Sequence, residues 1–254
     1  MSRIIIPMRG IVRRQPAERR LATVFQPART FGKVIWNTRT WITRTGFGLG
    51  SPRFSQPARG VVNRPLRLKK MPTDYPLLTG SEHWRRKIRT VFQRMDANAD
   101  GYMTKKDFVV TAQALIDYLG LTGERAECIF NKRIRVWEEI AGDKTRITVD
   151  EYCQDLLSYF NDRHFREESY HTLICTEFNA IDIDGDGFIF KKDHDAYYYS
   201  LNIPTEYSKD VFDVMDTNRD GLVSIDEFAE GFLEFWMTED PNNIYNQKYG
   251  PLAD

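Results

Sequence analysis

Three stretches of twelve residues constrain this 254-residue chain more than any other feature: DANADGYMTKKD from Asp96, DIDGDGFIFKKD from Asp182 and DTNRDGLVSIDE from Asp216. Each carries oxygen-bearing side chains at positions 1, 3, 5 and 12, glycine at position 6 and an apolar residue at position 8. Side chains at these offsets curl around one point together with the position-7 carbonyl, and so gather the six to eight oxygens that a hard divalent cation such as Ca2+ takes. Gly101, Gly187 and Gly221 supply the sharp bend at position 6, where a positive φ penalises a side chain. Clusters of Asp, Asn and Gly also make ordinary surface turns, so a single match would carry little. Three matches flanked by helical periodicity carry much more.

The spacing is that of the EF-hand calcium loop, and it nominates three ion sites. Asp96, Asn98, Asp100 and Asp107 form the first with the Tyr102 carbonyl. Asp182, Asp184, Asp186 and Asp193 form the next with the Phe188 carbonyl, and Asp216, Asn218, Asp220 and Glu227 form the last with the Leu222 carbonyl. Position 12 separates them. Glu227 is long enough to give both carboxylate oxygens, whereas Asp107 and Asp193 are one methylene shorter and reach with one oxygen or draw the helix inward. The shorter reach favours six-coordinate Mg2+ more than a glutamate would, so the first and third sites are expected to take Ca2+ or Mg2+ and the last to prefer Ca2+. With four Asp ligands the third loop has the most repulsive ion-free state, and Phe190 at its position 9 offers no oxygen.

Helical periodicity flanks every loop. Thr79 and Glu82 have capping-box spacing, and Trp84, Ile88, Val91, Phe92 and Met95 then recur on one face leading into Asp96. Phe108, Val109, Ala112, Leu115, Ile116 and Leu119 form the outgoing stripe, and Phe228, Phe232, Phe235 and Trp236 mark the final helix. The loops from Asp182 and Asp216 begin 34 residues apart, as paired hands do, but the loop from Asp96 has no such neighbour. A lone hand leaves its apolar face and strand contact unmatched, so a degenerate partner is expected between residues 120 and 170. In WEEIAGDKTRITVDEY, Ile147 fits position 8, Thr148 a helix cap and Glu151 position 12. That register puts Ile140, Gly142 and Lys144 at positions 1, 3 and 5, where a lysine ammonium repels a cation; a shifted loop using Asp143 and Asp150 has poor spacing. The expected fold class is all-α, four EF-hands in two pairs forming one compact globule with a disordered basic N-terminal extension. Residues 79–161 hold the first pair, active then degenerate, residues 162–240 the second pair with both hands active, and 241–254 a tail packing on the globule.

The zero formal charge hides two opposite segments. Residues 1–73 carry thirteen Arg and three Lys against Glu18, a net of +15, which leaves −15 for the rest. This Arg-, Pro- and Gly-rich leader cannot build a core. Its start, MSRIIIPMRGIVRRQPAERRLATVF, alternates arginines with small apolar clusters as a mitochondrial presequence does; a disordered arm for an acidic surface, RNA or anionic lipid and a mistaken gene start are the alternatives. Location is accordingly expected to be intracellular, mitochondrial if the leader is a presequence and otherwise cytoplasmic. Cys128, Cys153 and Cys175 make no even set and no C-x-x-C, and are read as reduced core residues. No run is apolar enough to span a membrane.

From residue 79 onward only Met95, Met103, Met215 and Met237 offer the adaptable surface of a sensor groove, against many aromatics, so a closed core and a buffering role are expected. With four hands, the second silent, an aromatic interior and the ending FLEFWMTEDPNNIYNQKYGPLAD, residues 79–254 resemble the invertebrate sarcoplasmic calcium-binding proteins and the calexcitins. The resemblance implies a compact globule that acts as a Ca2+ buffer or signal modulator; the chain is further expected to be non-enzymatic and monomeric, with no nucleic acid bound by the folded part and no named protein target. Neighbouring photoproteins hold coelenterazine with His, Trp and Tyr in a central cavity; here His83 and Trp84 lie in the first helix and Trp236 in the last, with no histidine beside it. Two alternatives stand beside the buffer: a sensor that binds a target protein, and a carrier of an apolar ligand such as a luciferin.

Overall fold

A computed structural model describes residues 64–253, which fall within one compact unit. The expectations of disorder and a presequence for residues 1–73 fall, over residues 1–63, outside the described residues. Eight α-helices and four short strands form four helix–loop–helix units among them. The first comprises α1 (Glu82–Met95), β1 (Tyr102–Thr104) and α2 (Lys105–Tyr118), and the second α3 (Gly123–Ala141), β2 (Arg146–Thr148) and α4 (Val149–Asn161). A short π-helical stretch, Phe165–Ser169, leads to α5 (Tyr170–Ile181), β3 (Phe188–Phe190) and α6 (Lys191–Ser200). The fourth unit is α7 (Glu206–Met215), β4 (Leu222–Ser224) and α8 (Ile225–Met237).

Strand contacts pair the hands. β1 runs antiparallel to β2 with Met103 opposite Ile147, and β3 to β4 with Ile189 opposite Val223. All four of these side chains are buried, so each loop pair is closed by an apolar contact beneath it. The apolar stripes face a common core rich in aromatic rings: Phe160 stacks on Trp236 at 5.3 Å, and Phe178 meets Phe228 edge-on at 5.6 Å. Cys153 and Cys175 sit in that core, but Cys128 is exposed on α3, on the polar side of its amphipathic helix.

Each leaving helix starts on its own loop. The backbone N–H of position 9 donates to the carboxylate at position 12: Thr104 to Asp107 at 2.8 Å, Thr148 to Glu151 at 2.9 Å, Phe190 to Asp193 and Ser224 to Glu227 at 3.0 Å. The start of α1 differs from the expected Thr79–Glu82 box. Ser81 is the cap, its Oγ accepting from Trp84 N, while Thr79 donates through N and Oγ1 to Glu239 beyond the far end of α8. A distant carboxylate outcompetes the local one because it gathers three successive amides, Thr79, Gly80 and Ser81.

Both expected domain limits also move. The leader's final residues, 64–73, belong to the folded unit: Pro72 is buried in a 3-10 turn, and Leu66 and Leu68 pack against the core. Tyr75 and Leu78 are buried as well, so the first pair is joined to a core that begins before residue 79. At the other end the tail lies on the helices. Tyr249 lies against Phe235 and Trp236, and α1 holds the chain end through Ala253 N to Thr90 Oγ1 and Arg86 Nε to Ala253 O.

Candidate metal centre

The three nominated loops share one hydrogen-bonded scaffold. In each, the position-6 glycine N–H donates to the position-1 aspartate, Gly101 to Asp96 at 2.8 Å, Gly187 to Asp182 at 3.0 Å and Gly221 to Asp216 at 2.9 Å. The position-7 N–H donates to the position-5 aspartate, Tyr102 to Asp100 at 2.9 Å, Phe188 to Asp186 at 3.0 Å and Leu222 to Asp220 at 2.9 Å. These bonds fix the position-1 and position-5 carboxylates against the backbone of their own loops. They require left-handed backbone at position 6, where the glycines have φ of 84°, 94° and 84°, and also at position 4. Gly185 meets the latter demand freely, whereas Ala99 at 55° and Arg219 at 60° hold it against steric preference. That second bend is absent from the motif used to find the loops.

Charge is handled differently in the loop from Asp182. Asn98 Nδ2 donates to Asp100 at 3.0 Å and Asn218 Nδ2 to Asp220 at 2.9 Å, so an amide dipole screens one carboxylate in the first and last loops. The third loop has no such amide, and Asp182, Asp184 and Asp186 bring oxygens within 4.8 Å of one another. Lys192 approaches Asp184 at 3.4 Å from outside. Burial raises the pKa of Asp182, with Asp186 and Asp184 adding to it, and burial pushes Asp193 up to about 6.

Position 12 differs between the loops. Asp107 spends Oδ2 on Thr104, and its Oδ1 is buried without a hydrogen-bond partner. Such a carboxylate oxygen suits a bound cation, since a buried acceptor left unpaired is costly. Glu227 reaches across its loop, Oε2 on Ser224 and Oε1 accepting from Thr217 N and Oγ1 and from Asn218 N. Burial opposes its ionisation, but these bonds outweigh it and hold its pKa below the usual range. An all-oxygen donor set with carboxylates at positions 1, 5 and 12 fits a hard divalent cation.

The second loop is filled from within. Lys144 Nζ lies 3.7 Å from Glu151 and 3.1 Å from Asp155, so an ammonium already answers the position-12 carboxylate. Ile140, at position 1, packs against the core and brings no oxygen.

Known families agree with this geometry. The family model described as EF-hand domain pair matches residues 172–233, and the one described as EF hand matches residues 88–109. The sarcoplasmic calcium-binding protein beta chain of Penaeus sp. is 26% identical over 188 residues, 67% of this chain and 97% of that one. The chain carries EF-hands and is similar to the sarcoplasmic calcium-binding proteins. Another relative of this EF-hand protein is the luciferin-binding protein of Renilla reniformis, 24% identical over 183 residues, 70% of this chain and all of that protein. In fold it resembles the calcium-loaded apo form of the coelenterazine-binding protein from Renilla muelleri, with a TM-score of 0.61 over 68% of this chain and 99% of that one at 24% identity.

Proposed function

We propose that the protein binds three divalent cations reversibly, in the loops 96–107, 182–193 and 216–227, and acts as a non-enzymatic buffer or modulator of calcium signals. The observation that carries the ligand assignment is the buried, unpartnered Oδ1 of Asp107, at position 12 of a loop whose scaffold recurs in the other two. The second loop stays ion-free because Lys144 neutralises it. The loops ending in Asp107 and Asp193 also take Mg2+, and the loop ending in Glu227 prefers Ca2+. Buffering rather than sensing is supported by the core: among the described residues Met103, Met215 and Met237 are buried within a core dominated by aromatic rings rather than by methionines. Calorimetric Ca2+ titration with and without Mg2+ tests this. Three ions should bind, Mg2+ should weaken two of the binding steps, and Glu227→Gln should remove the step that Mg2+ spares; equal sensitivity of all three steps to Mg2+ would sink the selectivity.

A second reading, carriage of an apolar ligand, is favoured by one observation. Trp236 Nε1 is buried without a hydrogen-bond partner among rings of Phe160, Phe232, Phe235 and Tyr249. A donor stranded among aromatic faces suits a flat ligand with one acceptor, and a luciferin-binding relative is consistent with it. A chromophore that co-purifies with the unmodified protein and not with Trp236→Phe would support carriage.

For location, residues 1–63 serve as a mitochondrial leader in our reading. Tagged full-length protein should then enter mitochondria and a version lacking residues 1–63 should not.

A further inference from the structure

The end of the basic segment does not hang free; it lies along the helix that leaves the last calcium loop. Arg64 grips Asp226 with both guanidinium nitrogens at 3.0 and 2.8 Å, and the Arg67 backbone N–H donates to the same carboxylate at 2.9 Å. Lys69 meets Glu230 at 2.7 Å, and the Tyr75 hydroxyl donates to Glu234 at 2.9 Å with Lys70 over its ring at 3.8 Å. Asp226, Glu230 and Glu234 are spaced by four, so they form one acidic stripe down α8, and the segment follows it. On its other side the segment touches α5, the helix that enters the third loop, through His171 Nε2 and the Arg64 carbonyl at 2.8 Å.

Asp226 immediately precedes Glu227, the position-12 carboxylate that reaches across the last loop. The first turn of α8 is therefore held from one side by the loop and from the other by the basic segment. We propose that residues 64–75 form a cis-acting strap whose docking on α8 and ion binding in the last loop reinforce each other. The strap fixes the turn that presents Glu227, and an ion that fixes Glu227 holds Asp226 where Arg64 and the Arg67 amide meet it. Coupling of this kind is reciprocal: whatever factor the strap contributes to ion affinity, the ion contributes to strap docking. The competing effect is plain electrostatics, by which a nearby guanidinium would repel the ion. Arg64 is 45% exposed, so solvent and salt screen its charge, while the orienting contacts do not depend on range. Positioning outweighs repulsion, and the sign of the effect is the proposal's content.

The inference rests on the ion-binding reading of the last loop, and its test separates the two. The Gly221 amide, which donates to Asp216, reports occupancy of the last loop by NMR, and Gly101 does the same for the first. In the full chain, Arg64→Ala combined with Lys69→Ala should raise the Ca2+ concentration that half-fills the Gly221 response about three- to tenfold and leave Gly101 unchanged. Glu230→Gln, which breaks a strap contact from the helix side, should shift Gly221 in the same direction. Reciprocally, removing Ca2+ should speed hydrogen exchange at the Arg67 amide. If Gly221 responds to Ca2+ but neither variant shifts it, or both tighten it, the strap is overturned while ion binding stands. If Gly221 never responds in the unmodified chain, the ion reading of that loop fails and the strap with it.

Discussion

At the scale of single residues, the side chain at position 12 serves two purposes at once. One of its oxygens caps the leaving helix and the other is left for a second partner, and Asp107 shows the division most plainly, with Oδ2 on Thr104 and Oδ1 unpaired. Glu239 does for α1 what no local residue does, since it accepts from Thr79, Gly80 and Ser81 together. Burial opposes its ionisation, but those hydrogen bonds outweigh it and hold its pKa below the usual carboxylate range. A carboxylate that ionises more readily folded than unfolded stabilises fully above its unfolded pKa and loses that contribution as pH falls through the lower folded value. Glu239→Gln should cost about 1–2 kcal/mol at neutral pH by replacing charged with neutral hydrogen bonds. The gap should close on acidification below about pH 4.5. Urea denaturation at pH 7 and pH 3 checks this, and a gap of constant size at both would refute the role given to the charge.

At the scale of elements, a loop that binds nothing still supports one that does. Met103 and Ile147 face each other across β1 and β2, both buried, so the silent second hand completes the strand contact and the apolar floor of the first. Ile147→Ala should destabilise the protein by about 2–5 kcal/mol, as for other buried aliphatic truncations. It should also weaken Ca2+ binding in the first loop, 40 or more residues away in sequence, without touching a ligand. Stability by denaturant and occupancy by the Gly101 resonance measure the two effects; loss of stability with undiminished first-loop affinity would show that the hands are mechanically independent. The silent hand was legible in the sequence because Ile147, Thr148 and Glu151 keep their offsets while positions 1, 3 and 5 do not. That its lysine turns onto Glu151 and Asp155 was not legible, since a long flexible side chain chooses its partner only when the helix beyond it is in place.

At the scale of the whole folded unit, the first and last helices of the EF-hand set are tied to each other. Trp84 Nε1 donates to the Trp236 carbonyl at 3.0 Å, and Lys87, wholly buried on α1, donates to the carbonyls of Phe235 and Thr238 at the end of α8. The tail then covers this junction, with Tyr249 against Phe235 and Trp236 and Tyr198 Oη donating to the Lys248 carbonyl. Tyr249→Ala should cost about 3–5 kcal/mol, the range for a buried aromatic cut to alanine. A melting temperature unchanged by that substitution would mean the tail is ornamental. By itself the sequence determined the ion loops and their strand residues, because each rests on offsets within a dozen residues and a backbone that can bend at only a few of them; the pairing of hands followed from the 34-residue spacing of the last two loops. Tertiary structure alone decided where Glu239, Lys87 and residues 64–75 go, since their partners lie some 150 residues away or more and are selected by which helix ends and carboxylates the finished fold brings alongside.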